Sequence, residues 1–434
     1  MRLLSIMLLL AGTSTAVMAQ FSKPRRAYVE YVVTADRSDR TYPTGREARL
    51  TVEAYKGGIP LDGVKVVYSA GDEMMAPSRE DTAVFHAGRA VLPIGTRQEP
   101  GFLACKLRFT VYDKTYKDLV KVAFAPDSIR PYTVMPRDFD RFWAKTLRTA
   151  ARTDLAPEVT PLPKYSTDSV EVSLVRINVG PGGRHVYGYL TRPRDERPHP
   201  VLFCPPGAGA SKITPTTYYS ERGFIYFNIN IHNDCNPELD DTSYAAAKAA
   251  VEGYNRRGIS SPETFYYRDV YAACSRCVDF LCTLPEWDGR NVGVTGGSQG
   301  GALSIVTAAL NPRVTFCSPF YPALCDLTGF REGRAGGWPK YYDGREEDAG
   351  AAETMAYYDV VNFARRLTCP VFYSFGYNDD TCSPTSTYAA YNEITSPKTL
   401  SVTPTSGHWR FPETNDESVA WMQRMAGIIP SGGL

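Results

Sequence analysis

The residues whose types and spacing are best suited to chemistry are Gly296-Gly297-Ser298-Gln299-Gly300, a G-x-S-x-G run. Glycines around a serine permit a sharp strand-to-helix turn that presents the hydroxyl, because side chains at 296 and 300 would collide with the neighbouring strand and helix. A serine hydroxyl is a poor nucleophile at neutral pH. It needs a base within hydrogen-bond reach and an acid to orient that base, and the chemistry of such a set is acyl transfer. The run Val292-Gly-Val-Thr295 before the motif reads as a buried strand, and the Ala- and Leu-rich stretch from Gln299 to Leu310 reads as a helix.

Chain order points to the base. There are five histidines, His86, His185, His199, His232 and His408, and hydrolases with a nucleophile elbow place their residues in the order Ser, acid, His. Only His408 follows Ser298, in Pro404-Thr-Ser-Gly407-His408-Trp409, a loop between a strand and the last helix. The acid is expected after the strand Val371 to Phe375, within Gly376-Tyr-Asn-Asp379-Asp380-Thr-Cys-Ser-Pro384. Two adjacent aspartates compete there, and only one faces the histidine, since neighbouring side chains diverge. An oxyanion hole takes two backbone N–H groups. One belongs to Gln299; the other is expected from the glycine-rich turn Pro205-Pro-Gly207-Ala208-Gly209-Ala210, with Ala208 as donor. That turn lacks the Lys-Ser/Thr pair of a phosphate-binding loop.

These residues lie far apart and need a scaffold that gathers them. Strand runs at Val170 to Val179, Val186 to Thr191, Val201 to Cys204, Phe224 to Ile231, Val292 to Thr295, Phe316 to Phe320, Val371 to Phe375 and Thr399 to Thr403 alternate with helical ones at Pro262 to Leu284, after Ser298, at Tyr388 to Glu393 and at Asn415 to Met425. Such interleaving predicts an α/β catalytic domain over residues 138–430, a mostly parallel sheet with helices on both faces and function at the carboxyl ends of strands. It opens on an amphipathic helix carrying Phe139, Phe142, Trp143 and Leu147. Residues 126–137, with three prolines, read as a linker. Residues 26–125 hold about seven short strands separated by turn signals, the pattern of a small antiparallel, immunoglobulin-like β-sandwich. Its histidine, His86, has no acid or nucleophile arranged around it and reads as a surface loop residue. Its tyrosines Tyr28, Tyr31, Tyr55, Tyr68 and Tyr112 suit strand positions as well as a carbohydrate platform.

Residues 1–19 run from Arg2 through an apolar stretch to small residues ending at Ala19, a signal peptide cleaved after Ala19, which predicts export to the periplasm or beyond. The apolar stretch is about half the length of a membrane span, and no cysteine follows the cleavage point to carry a lipid. Lysine and arginine number 48 against 47 acids. A chain so balanced has no field with which to hold nucleic acid or an anionic membrane, so a neutral or small partner is expected. Nine of the ten cysteines follow residue 200, several inside apolar runs as Cys204, Cys317 and Cys369 are, and read as buried small hydrophobes. Cys274 and Cys277 form a lone C-x-x-C on a helix, without the second pair a zinc site needs. No metal or other cofactor is expected.

With these residues in place, the chain from about Met135 to Ile428 resembles the acetyl xylan esterase and cephalosporin C deacetylase family of α/β-hydrolases. The resemblance lies in Met135-Pro-Arg-Asp-Phe-Asp-Arg-Phe-Trp143, Ser261-Pro-Glu-Thr-Phe-Tyr-Tyr-Arg268-Asp-Val-Tyr271, Thr295-Gly-Gly-Ser-Gln-Gly-Gly301, Tyr321-Pro-Ala-Leu-Cys-Asp326, Gly376 through Cys382, and Pro384 to Asn392. It implies that the acid is Asp379, three residues after Gly376, and that Ala208, the middle of a His-Gly-Tyr-type turn in the family, donates to the oxyanion. Two family signatures differ: His232-Asn233-Asp234 stands where Arg-Gly-Gln is usual, and Trp409 where a Glu follows the histidine. Both bear on the pocket wall and acyl specificity. Family members assemble into rings of six, which implies a homo-oligomer. The expected function is an exported serine carboxylester hydrolase that removes acetyl or other short acyl groups from xylan-type carbohydrate. A serine peptidase of the prolyl-peptidase type shares the elbow and order, and a catalytically silent glycan-binding relative would share the fold.

Overall fold

Alternation within short apolar strands builds the central sheet, because each strand must cover both faces. Val201 and Phe203 join one core with Phe227, Phe280 and Val294, while Leu202 between them joins a second with Phe224, Phe316 and Trp421. The computed structural model describes residues 27–342 and 350–429; the expected signal peptide lies outside the described residues. Across the nine-stranded sheet the order is Glu158–Pro161, Val170–Gly180, Arg184–Pro193, Ile225–Asn230, His199–Cys204, Trp287–Gly297, Phe316–Phe320, Val371–Gly376 and Lys398–Thr403. Pairings are antiparallel as far as Ile225–Asn230 and parallel from there on. Helices Phe139–Ala151, Tyr267–Leu281 and Gln299–Leu310 contribute to the first core, and Pro412–Met425 closes the second through Val419, Trp421 and Met422.

The chain's direction across the sheet reverses at His199–Cys204. The strand that follows it in sequence lies on one side, and Trp287–Gly297 lies on the other. At such a reversal the carboxyl ends of strands open into a crevice; here His199–Cys204 and Trp287–Gly297, side by side, lead into the Pro205 to Ala210 turn and into Ser298.

Several elements escaped the sequence pattern, either because they lack an apolar stripe or because they are too short for one to show a period. Glu158–Pro161 is exposed throughout, and helix Asp241–Ala250, capped by Asp240, buries only Tyr244. Ala351–Tyr358 and Val360–Ala364 are short helices, and the helix expected from Pro262 starts only at Tyr267.

The amino-terminal region forms two sheets. One joins Val29–Ala35, Ala48–Lys56, Ile59–Pro60 and Arg89–Gly95; the other runs Thr41–Tyr42, Lys114–Phe124, Gly101–Val111, Lys65–Asp72, Arg79–Val84. Leu50, Val52, Val66, Tyr68, Leu92 and Phe109 fill the space between. Arg79–Val84 is a mostly exposed edge strand, and Thr41–Tyr42 and Ile59–Pro60 are two residues each, so none of the three shows as an apolar run. Phe102 and Ala123 belong to the hydrolase core instead of the sandwich core. Phe102 packs edge-on against Tyr377 with ring centroids 4.9 Å apart, joining the two parts through buried apolar surface.

Candidate active site

Ser298 stands between strand and helix with φ 61° and ψ −124°, a conformation that side chains rarely adopt. Its N–H donates to Phe320 O at 3.0 Å, which helps hold the turn. The glycines are required by space: a Cβ at Gly296 would lie 2.7 Å from the carbonyl of Gly300, and one at Gly300 would lie 2.5 Å from Pro205 O. The second contact shows that the turn after His199–Cys204 packs directly on the start of the helix.

His408 lies between hydroxyl and carboxylate. Its Nε2 is 2.9 Å from Ser298 Oγ, and its Nδ1 is 2.8 Å from Asp379 Oδ2. A carboxylate only accepts, so Nδ1 carries the proton and Nε2 is free to accept from the serine. Asp379 is buried, and its other oxygen accepts from the N–H groups of Thr381 and Cys382 at 2.8 and 2.9 Å. That division leaves Oδ2 for the imidazole. The adjacent Asp380 faces Lys121 instead, at 2.8 Å, so the two aspartates do diverge. The Tyr321 ring lies 4.7 Å from the imidazole, and the buried thiol of Cys382, pushed well above its usual range by desolvation, neighbours Ser298.

Gln299 is the first residue of helix Gln299–Leu310, where backbone N–H groups have no intrahelical partner and the helix end is positive. Its buried side chain has a further task absent from the sequence reading. Oε1 accepts from Tyr254 OH at 2.5 Å and Tyr267 OH at 2.6 Å, while Nε2 donates to Gly207 O at 3.1 Å. Tyr254 OH in turn accepts from Gly209 N–H at 3.0 Å. The glycine-rich turn is thus tied at both glycines to the helix N-terminus. Ala208 lies exposed between them, its N–H unpaired among the described residues. No sequence signal marks Tyr254, because a tyrosine in a polar connection looks the same whether its hydroxyl meets water or a glutamine.

His232, which occupies the place of a usual arginine, is buried, with Nδ1 2.6 Å from Tyr266 OH and its ring 4.7 Å from that of Tyr254. Burial lowers its pKa to about 4, so it is a neutral wall behind the turn. His199 is held structurally by Asp195 and Gly223 O, His185 bonds Gly183 O, and His86 is exposed. Trp409 is exposed beside His408 and meets Phe411 edge-on at 4.7 Å. All ten cysteines are free, and desolvation pushes the thiol of Cys274 up to about 12 and that of Cys277 well above the usual range. No group of three or more His, Cys, Asp or Glu that could hold a metal occurs among the described residues. Nor is any described helix long and apolar enough to cross a membrane.

Residues 127–425 match the family model for acetyl xylan esterase. The acetyl esterase Axe7A of Xylanibacter ruminicola is 40% identical over 432 residues, 97% of this chain and 96% of that protein. Two solved structures share the fold. An acetyl xylan esterase from Paenibacillus sp. R4 superposes with a TM-score of 0.60 at 25% identity, covering 69% of this chain and 98% of that one. Acetyl xylan esterase 1 from a Thermoanaerobacterium species gives 0.58 at 24%, covering 69% and 97%. The family match starts where the sandwich ends, whereas the likeness to Axe7A runs through both parts. With most of its length matched by the family model and nearly all of it by a 40% identical relative, the chain belongs to the acetyl xylan esterase family of α/β-hydrolases.

Proposed function

We propose that this esterase, after export, removes acetyl groups from xylan-type polysaccharide or its oligosaccharides by way of an acyl-enzyme on Ser298. His408 takes the serine proton as Oγ attacks the ester carbonyl, and returns it to the departing sugar hydroxyl; Asp379 orients the imidazole and stabilises its charged form. The N–H groups of Gln299 and Ala208 bind the oxyanion, each worth about 10²–10³ in turnover. Water, activated by the same histidine, then releases acetate. The observation that carries this reading is the imidazole within 2.9 Å of Ser298 Oγ and 2.8 Å of the buried Asp379 carboxylate. The names of the relatives support the acetyl group and, for the solved structures, xylan.

The test is acetate release from acetylated xylan and from acetylated monosaccharides, beside labelling by a fluorophosphonate. Wild-type protein should release acetate and label, and Ser298→Ala should do neither. Undiminished release by Ser298→Ala would overturn the mechanism. Labelling without release from any acetylated sugar would overturn the substrate, and faster cleavage of an aminoacyl-proline anilide than of p-nitrophenyl acetate would point to a peptidase.

A further inference from the structure

Lys121 lies in the sandwich strand Lys114–Phe124, fully buried, yet all three donors of its ammonium are satisfied. It donates to Glu73 Oε1 at 2.7 Å within the sandwich, to the main-chain oxygen of Asp379 at 2.6 Å and to Asp380 Oδ1 at 2.8 Å. The same residue's N–H donates to Asn378 Oδ1 at 2.9 Å. That N–H is available because Thr41–Tyr42 pairs only with Ala123 and Phe124, leaving the strand edge open at Lys121. One sandwich residue therefore grips three consecutive residues of the acid turn. Glu73 extends the grip: its second oxygen accepts from Thr385 N–H at 3.2 Å, in the first turn of helix Pro384–Asn392, which leaves the acid turn. Arg40, also of the sandwich, donates to Pro404 O at 2.9 Å, at the root of the loop that carries His408.

We propose that Lys121 is a positioning residue for the esterase reaction, supplied by the sandwich, which locks the turn from Asn378 to Asp380 so that Asp379 meets His408. The inference rests on the reading of Asp379 as the acid of the triad. The carbonyl that Lys121 holds and the carboxylate that meets the imidazole belong to the same residue, so a shift of the turn carries the carboxylate with it. The ammonium stays charged despite burial because Glu73 and Asp380 together outweigh desolvation. The sandwich, which lies outside the family match, is on this view part of the active-site support.

Removing the ammonium alone strands a buried Glu73, which harms folding whatever the catalytic role. The decisive comparison is therefore Lys121→Met against the double variant Lys121→Met/Glu73→Gln, in the full chain, with Asp379→Asn as reference. With p-nitrophenyl acetate, both Lys121 variants should lose about tenfold to a hundredfold in kcat with KM within about twofold. The double variant should regain the thermal midpoint that the single variant loses. The low-field proton resonance of the His408–Asp379 hydrogen bond should shift or broaden in both. Recovery of kcat together with the midpoint would overturn the proposal, making Lys121 only a charge partner of Glu73. So would unchanged kcat in the single variant, or a loss confined to KM. Full activity of Asp379→Asn would instead sink the triad reading, a separable result. Should the single variant not fold, the double variant alone decides.

Discussion

Tyr254→Phe isolates the tie between the glycine-rich turn and the start of helix Gln299–Leu310, proposed above to form the oxyanion hole, since it deletes one oxygen and leaves the ring packed against His232 and Tyr267. That oxygen accepts from Gly209 N–H at 3.0 Å and donates to Gln299 Oε1 at 2.5 Å. Gln299 keeps a second donor in Tyr267, at 2.6 Å. Gly209 is exposed, so water replaces part of what its N–H loses. The stability cost should therefore sit low in the range for an unsatisfied group, about 1–2 kcal/mol. The catalytic cost has a ceiling of about 10²–10³, the loss of one oxyanion donor. Gln299 Nε2 still holds Gly207 O, so the turn loosens at one end only and a fall of about tenfold in kcat is expected. The assay is steady-state hydrolysis of p-nitrophenyl acetate well below the thermal midpoint, with KM measured separately. An unchanged kcat in a variant whose midpoint has dropped would refute the reasoning, showing that the turn keeps its shape without this hydroxyl.

Gly300→Ala places a methyl 2.5 Å from Pro205 O, so strand end or helix must move; a stability loss of about 1–3 kcal/mol and a lower kcat are expected, and wild-type values for both would deny the contact its importance. His232 titrates near pH 4 in the fold against about 6.5 unfolded. Between those values the unfolded state binds more protons, so stability falls as pH drops from about 6.5 to about 4, by up to roughly 3 kcal/mol. Thermal midpoints measured from pH 7 to 4.5 should decline more steeply for wild type than for His232→Gln, and equal slopes would remove His232 from the acid response.

Much of the site was legible because its markers are local and constrained. Only a glycine-flanked serine fits the elbow, and only one histidine follows it, so Ser298 and His408 could be named from type and order. Parallel strands interleaved with helices announced the fold through side-chain periodicity. The choice between Asp379 and Asp380 was not local. It turns on which carboxylate finds His408 and which finds Lys121, more than 250 positions earlier in the chain. The family resemblance, not the residue pattern, picked Asp379 beforehand.

The polar second layer was invisible for the same reason. The Tyr254, Tyr267 and Gln299 hydroxyl and amide contacts, and the seating of the Asn378 side chain on the Lys121 N–H, join groups that no periodicity links. Likewise the sandwich read as a separate unit without chemistry, because short alternating strands specify their own two-layer core and say nothing of what their outer edge meets. Sequence by itself determined which residues carry reactive groups and where the strands and helices with a clear apolar pattern lie, since these follow from side-chain chemistry and local backbone preference. Only the tertiary structure decided which carboxylate turns toward His408, what holds the glycine-rich turn, and that the sandwich reaches Asp379, because hydrogen-bond partners in a buried site are chosen by proximity in space.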